Sequence, residues 1–263
     1  MDINDINFDI VENVIYDGVE LNELYHDEVL VWQRKQDEGG LKGPVVRLTL
    51  DDGSISSVTF DTAVMDGGYG IVTKNAFKSN GKIVSVEFGD EITSIGTSAF
   101  YECISITAVT LNNGLLNIGT NAFYDNSITS ITIPNTVTTI GDAAFYNTDI
   151  TSLTIPDNVI TIGTGITRSC FYLKSAYIGS GITKINTNSF QGCSKLEVVQ
   201  IPSSVTTISK QAFYSCSKLT RINYGGTISQ WNAITKDTDW NRNVNDGCMI
   251  YCTDGTIDMF GGL

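Results

Sequence analysis

The stretch from Ile128 to Gly163 reads ITSITIPNTVTTIGDAAFYNTDITSLTIPDNVITIG, and its opening returns after 22 residues almost letter for letter. Extended outward, the echo becomes a period. The isoleucine preceding the glycine of I-G, or its equivalent, recurs as Ile95, Ile118, Ile140, Ile162, Ile185 and Ile208, at steps of 23, 22, 22, 23 and 23. The last apolar residue of the preceding segment recurs as Phe88, Leu111, Ile133, Ile155, Ile178, Ile201 and Tyr224, at steps of 23, 22, 22, 23, 23 and 23. Two independent anchors with one spacing define a repeat array.

One period has a physical reading. Ile128, Ile131 and Ile133 are separated by Thr and Ser, which predicts a short strand with one side inward. Pro134 cannot donate to a ladder and ends it. Val137 and Ile140 turn inward on the return path, and Gly141 is expected to allow a bend. Ala144 and Phe145 then fill the interior, small beside large. A single coil cannot bury its own apolar face, so coils must stack. The expectation is one strand per coil on one continuous sheet.

The pattern L-x-x-I-x-I-P-x-x-V-x-x-I-G-x-x-A-F-x-x-C resembles the BspA-like subclass of bacterial leucine-rich repeats. Residues 196–216, LEVVQIPSSVTTISKQAFYSC, match it nearly position for position, and the resemblance covers about residues 57–224. It implies a solenoid used in adhesion and recognition, not an enzyme. The expected fold is mainly β: a leucine-rich-repeat solenoid of about seven coils of 22–23 residues, with a small β N-terminal module and a C-terminal cap. The expected divisions are 1–36 for the module, 37–46 for a linker, 47–224 for the solenoid and 225–263 for the cap.

The whole chain has 263 residues and a formal net charge of −13. No basic stripe exists to meet phosphates, which argues against a nucleic-acid partner. No apolar run approaches the ~20 residues of a membrane helix, so membrane insertion is not expected. The first residues, MDINDINFDIVENV, lack the basic start and apolar core of a signal peptide.

Residues 1–45 carry 11 acidic and 3 basic residues, a net of −8, which is more than half of the total charge. Within them, NVIYDGVELNELYHDEVLVWQRK alternates apolar and polar around Asp17-Gly18, a hairpin signal. This wording is similar to short N-terminal modules of phage tail and other virion proteins. That resemblance implies docking onto a virion through Tyr16, Leu21, Tyr25, Val31 and Trp32. The competing reading is an ordinary cap over the first coil. Residues 47–60 read as a second hairpin turning at Asp52-Gly53, whose second strand opens the array.

After Ile162 the pattern slips: GTGITRSCFYLKSAYIG has no Ala-Phe in register. Cys170-Phe171 is a candidate filler from a shifted backbone and Arg168 a candidate outward residue, while drift in one coil is the favoured reading. The last part leaves the period and is similar to a terminal segment found after such arrays. It predicts a short helix with Trp231 and Ile234 on one face, then a hairpin of Met249 to Cys252 with Thr256 to Met259.

Catalytic candidates are weak. His26 is the only histidine and lies far in sequence from every repeat serine and cysteine. Carboxylate pairs such as Asp51-Asp52 and Asp90-Glu91 sit at turns, whereas glycoside hydrolysis needs two facing across a cleft. Asp66 with turn oxygens offers calcium at most a weak seat, without EF-hand spacing. Of six cysteines, Cys103, Cys193 and Cys216 share one repeat position with Asn80 and Asn126, the pattern of buried structural thiols. Cys193 and Cys216 stand one coil apart, within reach of bridging under oxidation. Cys248 and Cys252 lack the second half of a zinc site. No metal or cofactor is expected.

Two surface rows remain as binding candidates. The outward strand positions are small and hydroxylated at first, then carry Tyr177, Gln200 and Arg221. A second row follows the interior phenylalanines: Tyr101, Tyr124, Tyr146, Tyr172 and Tyr214. Such a row is either a binding stripe, since tyrosine offers contact area at low entropy cost, or edge packing, the favoured reading. The sequence therefore points to a non-enzymatic virion structural protein (tail, fibre or capsid decoration) that meets a host surface protein or polysaccharide, in one or more copies per particle. It would be made in the host cytoplasm and released by lysis. The alternatives are a bacterial cell-surface adhesin and, behind it, a carbohydrate-active enzyme.

Overall fold

The computed structural model describes residues 14–16, 19–21, 45–59 and 70–260. From residue 70 to 224 the chain winds in stacked coils without a helix, as the period requires. All but one of the coils contribute two short strands rather than the single one expected. The first set forms a face ladder: Ile83–Phe88 pairs in parallel with Ala108–Thr110, and Ser152–Thr154, Ser175–Tyr177, Val198–Ile201, Arg221–Tyr224 and Met249–Cys252 follow in parallel. The second forms a side ladder of two-residue strands at the I-G motif. These run from Ile71–Val72 through Ser94–Ile95, Asn117–Ile118 and Thr139–Ile140 to Thr161–Ile162. They resume from Lys184–Ile185 to Thr207–Ile208 and Thr235–Lys236.

The expectation of a continuous sheet is also corrected, because each ladder breaks once. The face ladder breaks at residues 128–133, the segment that reads most plainly as a strand. The turn leading into it takes two steps from Asn126 to Ile128, against three from Cys103 to Ile106, but the equally short turn from Thr148 to Ile150 leads into the intact strand Ser152–Thr154, so turn length does not account for the break. The segment keeps its inward Ile128 and Ile133, but across this side only Thr151 N–H reaches Thr129 O, at 3.1 Å. The side ladder breaks between Ile162 and Lys184. Asn186 stands there in place of the motif glycine, and its side-chain amide donates to Ile162 O at 2.5 Å where a backbone N–H does so in other coils.

The motif glycines do a different job from the one expected. Gly141 and Gly163 are not in the left-handed region. They are places of close approach: a Cβ on Gly141 would lie 2.4 Å from Thr120 N, and on Gly163 2.2 Å from Asp142 N.

The remaining side of each coil is a third hydrogen-bonded wall, made without strands. Asn121, Phe123 and Asp125 donate to Asp142, Ala144 and Tyr146 of the next coil at 2.8–2.9 Å, while Ala122 and Tyr124 close local turns. The alternation needs two left-handed residues per coil. They are Asn121 and Asp125 here, Ala143 and Asn147 next, then Gly165 and Ser169. Asn, Asp, Ser and Gly dominate these positions because they tolerate positive φ.

The core is one continuous column. Ile95, Ile118, Ile140, Ile162, Ile185 and Ile208 are buried, as are the plugs Phe77, Phe100, Phe123, Phe145, Phe190 and Phe213. Neighbouring plugs stack nearly parallel, at 5.5 Å for Phe100–Phe123 and 5.9 Å for Phe123–Phe145. The coil after Ile162 keeps its backbone register, so Thr167 takes the plug position, fully buried, with Oγ1 donating to Ser189 O at 2.8 Å. The alternative filling by Cys170-Phe171 does not occur: Phe171 is half exposed.

At the N-terminal end, Val45–Leu50 and Ile55–Thr59 form the expected hairpin around Asp52-Gly53. Its first strand, not its second, opens the array, pairing antiparallel with Ile83–Phe88 while Ile55–Thr59 lies outermost. That strand starts inside the segment expected to be linker, and Val46 and Leu48 are buried over the first coil. At the other end, helix α1 (Ile228–Ala233) carries a capping box between Thr227 and Gln230. Trp231 and Ile234 are buried, and Met249–Cys252 turns back antiparallel to Gly255–Asp258. Val14–Tyr16 and Val19–Leu21 pair antiparallel, while Asp17 and Gly18 between them lie outside the described residues.

Candidate functional site

The strand register places the outward residues in two straight rows. Ser152, Ser175, Val198, Arg221 and Met249 are cross-strand neighbours in turn, and beside them run Tyr177, Gln200, Asn223 and Tyr251. Met249 and Tyr251 extend these rows beyond the repeats, because the terminal hairpin continues the same sheet. Their own sequence signal was the hairpin; their place in the row needed the fold. Tyr177 and Tyr251 are each a little over one third exposed. Arg221 is held in place: its guanidinium carbon lies 3.9 Å from the Tyr251 ring centre, and its Nε donates to Asn223 Oδ1 at 2.8 Å. At the opposite end of the face Arg47 pairs with Glu87 at 2.9 Å, both exposed.

The third wall carries the tyrosines. Its hydrogen bonds put Tyr101, Tyr124, Tyr146, Arg168, Gln191, Tyr214 and Arg242 at equivalent positions. Tyr172 does not belong to this row. The coil keeps its register up to Cys170, so Tyr172 falls in the following turn, half exposed, with Lys195 Nζ 4.4 Å from its ring centre. The true row stacks tightly, with ring centres 4.6 Å apart for Tyr101–Tyr124 and 4.4 Å for Tyr124–Tyr146. These separations are shorter than those of the phenylalanines behind, so the tyrosines lean together. Lys78 Nζ lies 5.1 Å from the Tyr101 ring and Arg168 Cζ 5.8 Å from the Tyr146 ring, a cation at each end of the stack. Desolvation raises the Tyr101 and Tyr124 hydroxyls above their ordinary range, with nearby acidic and phenolic groups adding to it.

Beyond Tyr146 the wall opens into a groove of about 330 Å³, lined by Tyr124, Asp142, Ala143, Tyr146, Thr164, Gly165, Arg168 and Asn188. Asp142 Oδ1 accepts from Thr164 N–H at 2.6 Å and from Thr164 Oγ1 at 3.1 Å.

The cysteine position is a fourth ladder inside the core. Cys103, Cys170, Cys193 and Cys216 donate to the plug carbonyls of Phe77, Phe145, Thr167 and Phe190 at 2.8–3.1 Å, and Asn126 donates likewise to Phe100. Thr148 fills the same repeat position, but its Oγ1 donates to Phe145 O of its own coil at 3.1 Å. All six cysteines are free thiols. Burial pushes the Cys103 thiol up to about 12 and Cys170 up to about 11, so neither is a nucleophile near neutral pH.

Asp52 sits at the hairpin turn, where hydrogen bonds from Ser54 hold its carboxyl below the usual range. Asp90 and Glu91 are exposed. Among the described residues no group of three or more His, Cys, Asp or Glu is placed to hold a metal ion. Of the docking candidates, Tyr16 and Leu21 lie on the paired strands of the first hairpin, while Tyr25, Val31 and Trp32 lie outside the described residues, as does His26.

The family model described as the BspA type leucine-rich repeat region matches residues 70–197 and 117–235. Among solved structures, a leucine-rich repeat protein of T. pallidum is similar at 25% identity and TM-score 0.53, over 59% of this chain and 74% of that one. One from Bacteroides ovatus is similar in fold, at 15% identity and TM-score 0.51, over 82% of this chain and 78% of that one. No curated protein matches. Two matched spans that together cover residues 70–235, on coils whose plugs, cysteine ladder and I-G approaches follow the repeat, place the chain in the BspA-type leucine-rich repeat family.

Proposed function

We propose that the chain is a non-catalytic recognition protein that meets a host-surface protein or polysaccharide with the C-terminal half of its strand face. One observation carries this: the change in the outward rows. Over the earlier coils they offer Ser85, Ala108, Ser152 and Ser175, with Thr110 and Thr154 beside them, small residues on a wet face. From Tyr177 onward they offer Tyr177, Gln200, Arg221, Asn223 and Tyr251 in register on adjacent parallel strands. Tyrosine and arginine are the residue types that dominate interface hot spots. Here a sheet and the Arg221 contacts hold them in advance, so little ordering remains to oppose binding. The buried thiols and the dispersed carboxylates support a role without chemistry.

The attachment of this face to a virion rests on residues 1–36, with their own charge balance and hairpin. The bacterial origin of both similar proteins favours a second reading, a cell-surface adhesin displaying the same face. Binding of labelled protein to intact host cells tests the function. The double variant Tyr177→Ser, Tyr251→Ser should bind at least tenfold more weakly with an unchanged melting temperature. Undiminished binding would reject the strand face.

A further inference from the structure

Where the tyrosine row ends, the coil from Gly163 to Cys170 departs from its neighbours in three places at once. Gly165 occupies the left-handed position held by Ala143 before it and Asn188 after it. Thr167 replaces the plug phenylalanine, and Arg168 replaces the tyrosine. Two of the changes, at Gly165 and Arg168, line the groove beside Tyr146, while Thr167 lies buried behind the wall. The groove's volume falls at the small end of the ligand clefts of proteins, roughly 300–1,000 Å³.

The groove is the vacancy of one ring. Tyr146 has Tyr124 stacked on one face at 4.4 Å, nearly parallel. Over its other face hangs only the exposed Arg168, at 5.8 Å, too far to seal it. Around that face stand complementary polar groups. Arg168 is a pure donor and makes no ion pair among the described residues. Asp142 is a pure acceptor, with Oδ1 engaged by Thr164 and the other oxygen free of partners there. Asn188 Oδ1 is buried without a hydrogen-bond partner.

We propose that this groove binds one uncharged pyranose ring, a terminal sugar of a surface glycan, stacked on the open face of Tyr146 as the next member of the row. The C–H bonds on one face of a pyranose carry partial positive charge and suit the negative face of the phenol ring. Vicinal hydroxyls both donate and accept, which matches a donor-only guanidinium beside an acceptor-only carboxylate. The opposite charges of Arg168 and Asp142 offset each other, and the chain's net −13 repels anions, so a carboxylated sugar is the poorer fit. The site lies on a different wall from the strand face, so either can fail without the other.

The test is saturation-transfer NMR on the full chain, with methyl glucoside, methyl galactoside, methyl N-acetylglucosaminide and N-acetylneuraminic acid as probes at millimolar concentration. Arg168→Tyr restores the residue that the row carries at Tyr146 and Tyr214, so it should fold and fill the slot. Gly165→Asn copies Asn188 and narrows the groove without changing charge. The wild type should receive transfer to at least one uncharged pyranoside, and either folded variant should weaken it at least tenfold. The double variant Tyr177→Ser, Tyr251→Ser should leave it unchanged. No transfer to any uncharged probe, a preference for N-acetylneuraminic acid, or undiminished binding in folded Arg168→Tyr would overturn the proposal.

Discussion

At the residue scale, the fold separates residues that are adjacent in sequence. Phe123 is fully buried between two parallel rings, whereas Tyr124, its neighbour, is only half buried on the outer wall. Phe123→Ala should therefore cost about 3–5 kcal/mol, the range for emptying a packed aromatic site. Tyr124→Ala should cost no more than about half of that, and the midpoints of a denaturant titration compare the two. Ala143 is a second case. It holds φ of 49° in a position where Gly165, one coil on, is at ease. An alanine in this region costs roughly 1 kcal/mol against glycine, so Ala143→Gly should raise the midpoint. The thiols make a pH prediction. Their pKa values are raised in the folded state, so their contribution is complete below the unfolded value, about 8.5. It is lost as pH climbs toward about 11 for Cys170 and about 12 for Cys103. Stability should thus fall progressively in alkali above about pH 9. A thiol reagent at pH 8 should reach the half-buried Cys252 first and the rest only on unfolding.

At the scale of elements, the I-G glycine exists because neighbouring coils touch there. A Cβ on Gly141 would overlap backbone of the preceding coil, and backbone cannot swing aside as a side-chain tip does. Gly141→Ala should therefore be more damaging than a change at a surface glycine such as Gly81, around which a Cβ meets open space; thermal melts of the two variants give the comparison. Much of this element was legible in the sequence. The period fixed which isoleucines and phenylalanines face inward, and the terminal helix and hairpin were visible from the shared face of Trp231 and Ile234 and from the turn residues. What was not legible has physical causes. The segment at 128–133 keeps its apolar pattern and loses all but one of its ladder hydrogen bonds on that side, a change the pattern does not record. The third wall has no apolar alternation to reveal it, only a scatter of Asn, Asp and Ser at positions that need positive φ. Tyr172 was misplaced because Phe171-Tyr172 repeats the Phe-Tyr wording of other coils, whereas the backbone keeps its register and puts Arg168 in the row.

For the whole molecule, the question is which part binds and which part anchors. Residues 1–36 hold a large share of the negative charge and the first hairpin. If they attach the chain to a particle, residues 1–45 fused to a reporter should co-purify with virions, and residues 46–263 alone should not. The reverse result would leave the N-terminal segment as a cap. The more direct measurement addresses the strand face itself. Hydroxyl-radical footprinting of the full chain, free and bound to host cell envelope, reads the exposure of individual aromatic and methionine side chains. Binding should protect Tyr177, Met249 and Tyr251 together and leave Tyr172 on its separate turn unchanged. Protection at Tyr172 and Phe171, with Tyr177, Met249 and Tyr251 as reactive as in the free protein, would contradict the account.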